Sequence, residues 1–305
     1  MSSTPYTASG VPEPVGRERR RGQLTVALAA VAWSTAGVMQ RELHLDVATQ
    51  LAGRALFAML ALLVFSIVAN HGRVVQPFRA IGWAGFAVAV SMAVASGAFI
   101  AALNHTTVAH VLFVQAASPM MAALIALVFL GESISRRSLA AMLMALAGVG
   151  VIVGDPRGFD AVGDTLSLLM ALAFAIAIVI TRRRRDVSMI PAVCLAQALV
   201  VLAAGPFAST GGIGARQLGL LVAMGVVQMG LGLALFTVGA RLIPAAEVAL
   251  ITLLEVVLGP LWVLLSIHER PDAATLAGGV IVVAAVVLQA LGDSPVAEPE
   301  PIGAP

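Results

Sequence analysis

Long stretches of this chain carry few or no charged side chains, and they recur at a regular interval. Residues 23–40 form one such stretch between Arg21 and Arg41, and residues 47–70 form a second that holds only Arg54. Residues 80–131 contain no Asp, Glu, Lys or Arg, which leaves room for two spans with Asn104, His105 and Thr106 as the turn between them. Residues 138–154 give a fifth. After the polar link Asp155-Pro156-Arg157-Gly158 the pattern resumes at 164–181, 189–209, 217–240, 246–267 and 273–292. A bilayer core takes about 20 mostly apolar residues per helix, so the pattern predicts ten transmembrane helices. The ends, 1–21 and 293–305, are rich in Pro, Glu, Ser and Gly and read as disordered tails. Arg19-Arg20-Arg21 ahead of the first run resembles the start of a signal peptide. Nine further spans favour a retained first helix.

Composition fixes the solvent. The chain has 305 residues, 60% of them hydrophobic and 11% charged, with a mean hydropathy of +0.99. A soluble domain carries roughly 25% charged residues, so most of this surface must face lipid. All 18 basic residues are Arg. With the N-terminus in the cytoplasm, the inside segments hold 13 of them: Arg17, Arg19, Arg20, Arg21, Arg73, Arg79, Arg136, Arg137, Arg182 to Arg185 and Arg241. The outside loops hold 4, Arg41, Arg157, Arg216 and Arg270, with Arg54 left inside a span. That asymmetry places both termini in the cytoplasm of a plasma-membrane protein. The arginine clusters orient the chain and give no reason to expect nucleic acid. The single cysteine, Cys194, excludes an intrachain disulfide and a thiolate metal cluster.

An internal repeat organises the pattern. A shift of 137 residues places Glu132 on Glu269, Phe99 on Phe236, Val111 on Val248, Leu124 on Leu261 and Leu139-Ala140 on Leu276-Ala277. Trp33 to Arg41 and Phe174 to Arg182 share one spacing in the first spans of the two halves. Five spans per half is an odd number, so the second half inserts upside down. The expected fold is therefore an all-α integral membrane protein with ten transmembrane helices in two inverted five-helix repeats, residues 22–155 and 156–292. Inverted repeats are an architecture of secondary transporters, with the substrate site near the midplane.

The segment 98–154 carries the Asn104-His105-Thr106-Thr107 turn, a mid-span Ser118-Pro119, a closing Leu130-Gly131-Glu132 and a glycine-dotted helix. The second copy has Arg241 to Ala246, Leu254-Glu255 and His268-Glu269-Arg270. Over roughly residues 23–292 the chain resembles the EamA type of the drug/metabolite transporter superfamily. The resemblance implies two inverted repeats and efflux of metabolites or drugs. Two positions depart from it. Val256 stands where the second copy usually has proline after Glu, with Pro260 four residues later, and His268 stands at the glycine of the Leu-Gly-Glu mark.

An ionisable group inside the hydrocarbon costs about 2.5–3.5 kcal/mol on insertion scales and is a functional candidate by default. Glu255, near the middle of the ninth span, could bind a cationic group, take up a proton, or only brace packing. Arg54 could meet a substrate carboxylate, pair with Glu255, or snorkel outward. Ser118 is the repeat partner of Glu255, so the two copies present unlike polar groups at one depth. Gln115, Gln228 and Thr252 are further candidates for the pathway. Pro119 and Pro260 each free a helix carbonyl and mark hinges or simple bends. His110 and Glu247, superposed by the repeat shift, sit near span ends as gate or turn residues. Glu132 and Glu269 read as structural.

Gly148 to Gly154 contains a GxxxG that lets helices approach closely in lipid. No Walker sequence is present, so energy would come from an ion or solute gradient, with protons among the candidate coupling ions. A membrane enzyme acting on a lipid-linked substrate is the alternative class. The loops are short and the histidines at 44, 71, 105, 110 and 268 are scattered, which speaks against catalysis. A non-transporting scaffold would not need polar groups at midplane in both halves. The leading expectation is a secondary-active exporter of a small metabolite, such as an amino acid, or of a xenobiotic. It needs no cofactor, and a homodimer is compatible with the pattern.

Overall fold

The computed structural model describes residues 16–70, 72, 75–130, 136–154, 160–184, 187–209, 211, 213–240, 242–243 and 245–290. Both tails, the 155–158 link and Glu132 lie wholly or largely outside these, as do the side chains of Arg182 and Glu247.

The described residues are helical. Helices α1 (Gly16–Ser34) and α2 (Ala36–Arg41) make the first span, and α3 (Val47–Ala69) the second. The short α4 (Val75–Ala80) leads into α5 (Gly82–Leu103). Next come α6 (Val108–Ala116), α7 (Ser118–Leu130) and α8 (Arg136–Val153). The second half holds α9 (Ala161–Arg183), α10 (Ile190–Ala204), α11 (Ala215–Val222), a π-helical stretch at Ala223–Leu231, α12 (Gly232–Gly239), α13 (Ala245–Ile267) and α14 (Ala273–Ala290).

Seven of these segments are long and apolar enough to cross a membrane: Glu18–Arg41, Val47–Ala69, Gly82–Leu103, Val108–Phe129, Ala161–Thr181, Ile190–Phe207 and Ala215–Gly239. Three shorter apolar helices accompany them, Leu139–Val153, Ile251–Ile267 and Ala273–Leu288. The last two of these lie within α13 and α14. At 23 residues and about 1.5 Å per residue, α13 as a whole is long enough for the roughly 30 Å of a hydrocarbon core.

The repeat shift survives in the helix bounds. Adding 137 to the ends of α6–α7 and α8 gives the ends of α13 and α14. Helix contacts between the halves recur with the roles exchanged. Helix α5 packs on α9 and α10, while α12 packs on α1 and the π-helical stretch on α3. Helix α7 packs on α9, and α13 on α1. Three pairs are their own counterparts: α3 with α10, α6 with α13 and α8 with α14. In the last, Arg137 Nε donates to Leu288 O (3.1 Å) at one end, and Gly278 meets Gly148 and Ile152 near the other. Equivalent helices thus run antiparallel, which is the relation an inverted repeat requires.

Local chemistry explains the breaks. Pro119 offers no N–H to the carbonyl of Gln115, and the fourth span breaks at Ala117 between α6 and α7. In the second copy Pro260 sits inside α13 and the helix runs through it. The two prolines therefore act differently: one separates helices, the other leaves its helix continuous. Asp160 caps α9 through Val162 and Gly163 N–H, and Thr107 caps α6.

His268, directly after α13, has φ 59°. Left-handed backbone is unfavourable for a side chain bearing Cβ, by about 1–2 kcal/mol, which gives a physical reason for glycine at this place in the repeat. His268→Gly should therefore raise the thermal midpoint of the purified protein, partly offset by the added freedom of the unfolded chain. A lowered midpoint would mean that the imidazole makes contacts worth more than that strain.

Candidate functional site

Polar side chains gather at two depths between the repeats. The deeper set lies near mid-span. Leu112 meets Gly259, and Val108 N–H donates to Glu269 Oε1 (2.8 Å), which fixes α6 and α13 as antiparallel. In that register Glu255 stands level with Ala116, between Gln115 and Ser118. Glu255, Gly259 and Trp262 form an i, i+4, i+7 stripe on one helix face. Trp262 Nε1 donates to Ser34 Oγ (3.0 Å), and Gly259 lies near Ser34 O. Glu255 is thus turned toward the first repeat. It remains half-buried, and its carboxyl has no ion-pair partner among the described residues. Thr252 and Gln115 are likewise half-buried.

Ser118, Gln197 and Gln228 are buried at similar depth. Ser118 Oγ, Gln228 Oε1 and both amide atoms of Gln197 have no hydrogen-bond partner among the described residues. Unpartnered polar atoms in an apolar interior cost about 1–3 kcal/mol each. Gln197 was not among the sequence candidates. Its signal was there, as the one amide in an otherwise apolar tenth helix.

Arg54 is buried on α3, and its guanidinium donates to Ser96 Oγ on α5. The expected alternative of pairing with Glu255 is not what the structure contains. Two contacts place Arg54 on another side of the bundle, toward α5 and α12's π-helical neighbour. The second is Gly225, where a Cβ would lie 2.8 Å from Arg54 O.

The shallower set closes the end of the bundle that carries Arg41. Arg41 Nε pairs with Glu269 Oε2 at 2.8 Å, while its Nη1 and Nη2 donate to Leu103 O (2.6 Å) and Thr106 O (2.7 Å). This single side chain ties the first span, the α5–α6 turn and the α13–α14 loop. Beside it Gln50 Nε2 donates to Leu43 O (3.0 Å) and Leu45 O (2.8 Å), and Asn104 donates to Gln50 Oε1 (3.2 Å). Ser209 N–H donates to Thr49 Oγ1 at 2.8 Å. Arg216 pairs with Glu42 at the surface.

His110 Nε2 lies 3.0 Å from Asp164 Oδ1, with only 4% and 5% of the two side chains exposed. His105 Nδ1 lies 3.9 Å from Asp160 Oδ2. Partial burial pushes the Asp272 carboxyl up, but bonds from Thr275 N–H (2.6 Å) and Thr275 Oγ1 (2.9 Å), helped by His110, outweigh it and hold Asp272 below the usual carboxylate range. Among the described residues no group of three or more His, Cys, Asp or Glu could hold a metal.

The opposite end differs. There a groove of about 440 Å³ is lined by Ser66, Asn70, Ser188, Ile190, Thr237 and Leu242 among others. Ser66 and Asn70 lie at the end of α3 remote from Thr49, and Ser188 and Ile190 at the end of α10 remote from Ser209. Among the described residues, the α3–α10 seam is thus hydrogen-bonded at the Arg41 end and bordered by a groove at the other.

Two antiparallel helical repeats, seven full-length apolar helices and a polar layer between the halves define a multi-pass membrane protein. The chain belongs to the EamA-like transporter family, which matches residues 20–154 and 161–291. A solved crystal structure has the same fold, with a TM-score of 0.63 at 20% identity, covering 90% of this chain and 97% of its own. None of the curated proteins matches.

Proposed function

We propose that this protein is a secondary-active transporter that exports a small metabolite or xenobiotic through the space between its repeats. The observation that carries the reading is the mid-depth layer. Ser118, Gln197 and Gln228 lack partners there among the described residues, and the Glu255 carboxyl is half-buried at a similar depth. Polar atoms left unsatisfied in an apolar interior are positioned to be satisfied by a bound solute. The difference between the two ends supports alternating access, with the Arg41 end sealed and the other open. In this reading the three shorter apolar helices complete ten crossings, the arginine distribution places the Arg41 end outside the cell membrane, and both termini are cytoplasmic. Glu255 is the substrate or coupling carboxylate, with Ser118, Gln115, Thr252 and Gln228 lining the path. Arg54, held by Ser96 on another side of the bundle, braces α3 against α5. Pro119 supplies the hinge. Energy comes from a proton or solute gradient.

The test is metabolite profiling of medium and cell extract from matched overexpressing and deletion strains. A solute enriched in the medium of the first and retained in the cells of the second is the expected result. Identical profiles under solute loading would count against export, and movement in the reverse sense would make the protein an importer.

A further inference from the structure

The His110–Asp164 pair is not used by the solute path, yet it lies between the repeats at the sealed end. His110 belongs to α6 in the first repeat and Asp164 to the first turn of α9 in the second. The imidazole Nε2 faces Oδ1 at 3.0 Å in a nearly water-free position. His110 Nε2 and both Asp164 carboxylate oxygens make no hydrogen bond among the described residues, so the two groups meet only at ion-pair distance.

We propose that His110 and Asp164 form a proton-binding site whose occupancy is coupled to closure of the Arg41 end. The inference rests on the alternating-access reading above and adds a ligand, the proton, at residues outside the substrate layer. The closed state holds one shared proton: an imidazolium facing a carboxylate, or a neutral imidazole facing a carboxylic acid. Both arrangements carry no net charge, the condition under which a buried pair is tolerated. Removal of that proton leaves one negative charge in the interior.

The surroundings make that charge worse. Helix α9 brings Asp160, partly answered by His105 at 3.9 Å, and the α13–α14 loop brings Asp272. Glu269 is already matched by Arg41. Helices α5 and α7 contain no charged residue, the arginines of α8 lie at the opposite end, and Glu255 of α13 is about two turns deeper. Arg270, in the same loop as Asp272, is exposed to water, which screens it from a deprotonated pair in the interior. Opening would return both groups to water, where neutral imidazole and carboxylate are each stable. The sign follows: the closed end binds the proton more tightly than the open end, so rising pH favours opening and a proton taken from the Arg41 side favours closure.

The test reads distance across this end without any substrate. Nitroxide labels on the exposed positions His44 and Arg270, one in each half, would be introduced as His44→Cys and Arg270→Cys in a Cys194→Ser background. A second pair, Asn70→Cys with Ser188→Cys, reports the opposite end. In lipid nanodiscs the open-to-closed ratio at the Arg41 end should rise about tenfold between about pH 5.5 and about pH 8.5, as a one-unit difference in proton affinity between the states supplies. Asp164→Asn keeps an acceptor but cannot titrate, and should abolish the pH dependence. His110→Gln provides a second variant should the first fail to yield folded protein. A pH-dependent distance that persists in both variants would overturn the proton site while leaving alternating access standing. Distances fixed at both ends at every pH would overturn the two together.

Discussion

Glu255→Gln should leave the protein folded and in the membrane while depriving it of uphill transport. Gln keeps the volume and the hydrogen-bonding capacity of Glu but carries no charge and does not titrate. Because Glu255 has no ion-pair partner among the described residues, its loss orphans no arginine. The usual reason for a buried-charge substitution to unfold a protein is therefore missing. Reconstituted into vesicles with a solute identified by profiling, the variant should show at least about a tenfold loss, the scale of about 1.4 kcal/mol of differential binding. Two patterns separate the roles. Loss of accumulation with preserved solute exchange assigns Glu255 to proton coupling. Weakened affinity for cationic solutes at every pH assigns it to substrate binding. Wild-type rates, affinity and pH profile would reduce Glu255 to a packing residue.

Gly278→Leu should do the opposite, destroying the fold without touching the polar layer. Helices α8 and α14 cross where two glycines face each other. A Cβ on Gly278 would sit 2.5 Å from Gly148 O and 2.5 Å from a side-chain carbon of Ile152. A Cβ on Gly148 would sit 2.8 Å from Gly278 O. The obstacle is backbone, which cannot rotate aside as a side chain can, so the helices must separate along their length. Overpacking costs about 1–3 kcal/mol in ordinary cores, and here it also forces apart the cluster that includes Ala141, Ala145, Val282 and Ala285. Folded yield by size-exclusion chromatography should collapse. A monodisperse, thermally unchanged Gly278→Leu protein would mean that this crossing is not a tight constraint.

Much of this architecture was legible because lipid removes choices. A charge-free run has to be a helix in the membrane, so the order of elements and the Asn104 to Thr107 turn follow from composition. The repeat was visible through Glu132 and Glu269 and through matched spacings, although apolar identities alone are weak. The site was harder. Glu255, Ser118 and Gln228 stood out because each is polar at mid-span, but nothing local says which face of a helix meets which neighbour. That is why Arg54 could be imagined opposite Glu255, when packing turns it to Ser96. Asp164 escaped notice because it opens its span, where an acid normally caps a helix or meets water. Only the tertiary contact with His110 buries it. Gly148 was read from its GxxxG spacing, yet the glycine opposite it is Gly278, far away in sequence.

The π-helical stretch at Ala223–Leu231 bears on how this chain tolerates insertions and deletions. Turns closed from i to i+5 take in more residues than α-turns, so this span stores surplus length that a regular helix would not. Gly225 and Gly230, five apart, both press on α3, against Phe57 and Ala61. They stack on one face because the helix is wide there. Loss of one residue between them would tighten a wide turn toward an α-turn and leave the helix below nearly in register. The same deletion in α5 or α13 would rotate everything after it by about 100°. Single-residue deletions in this chain should therefore leave folded protein inside 223–231 and abolish it a few turns away.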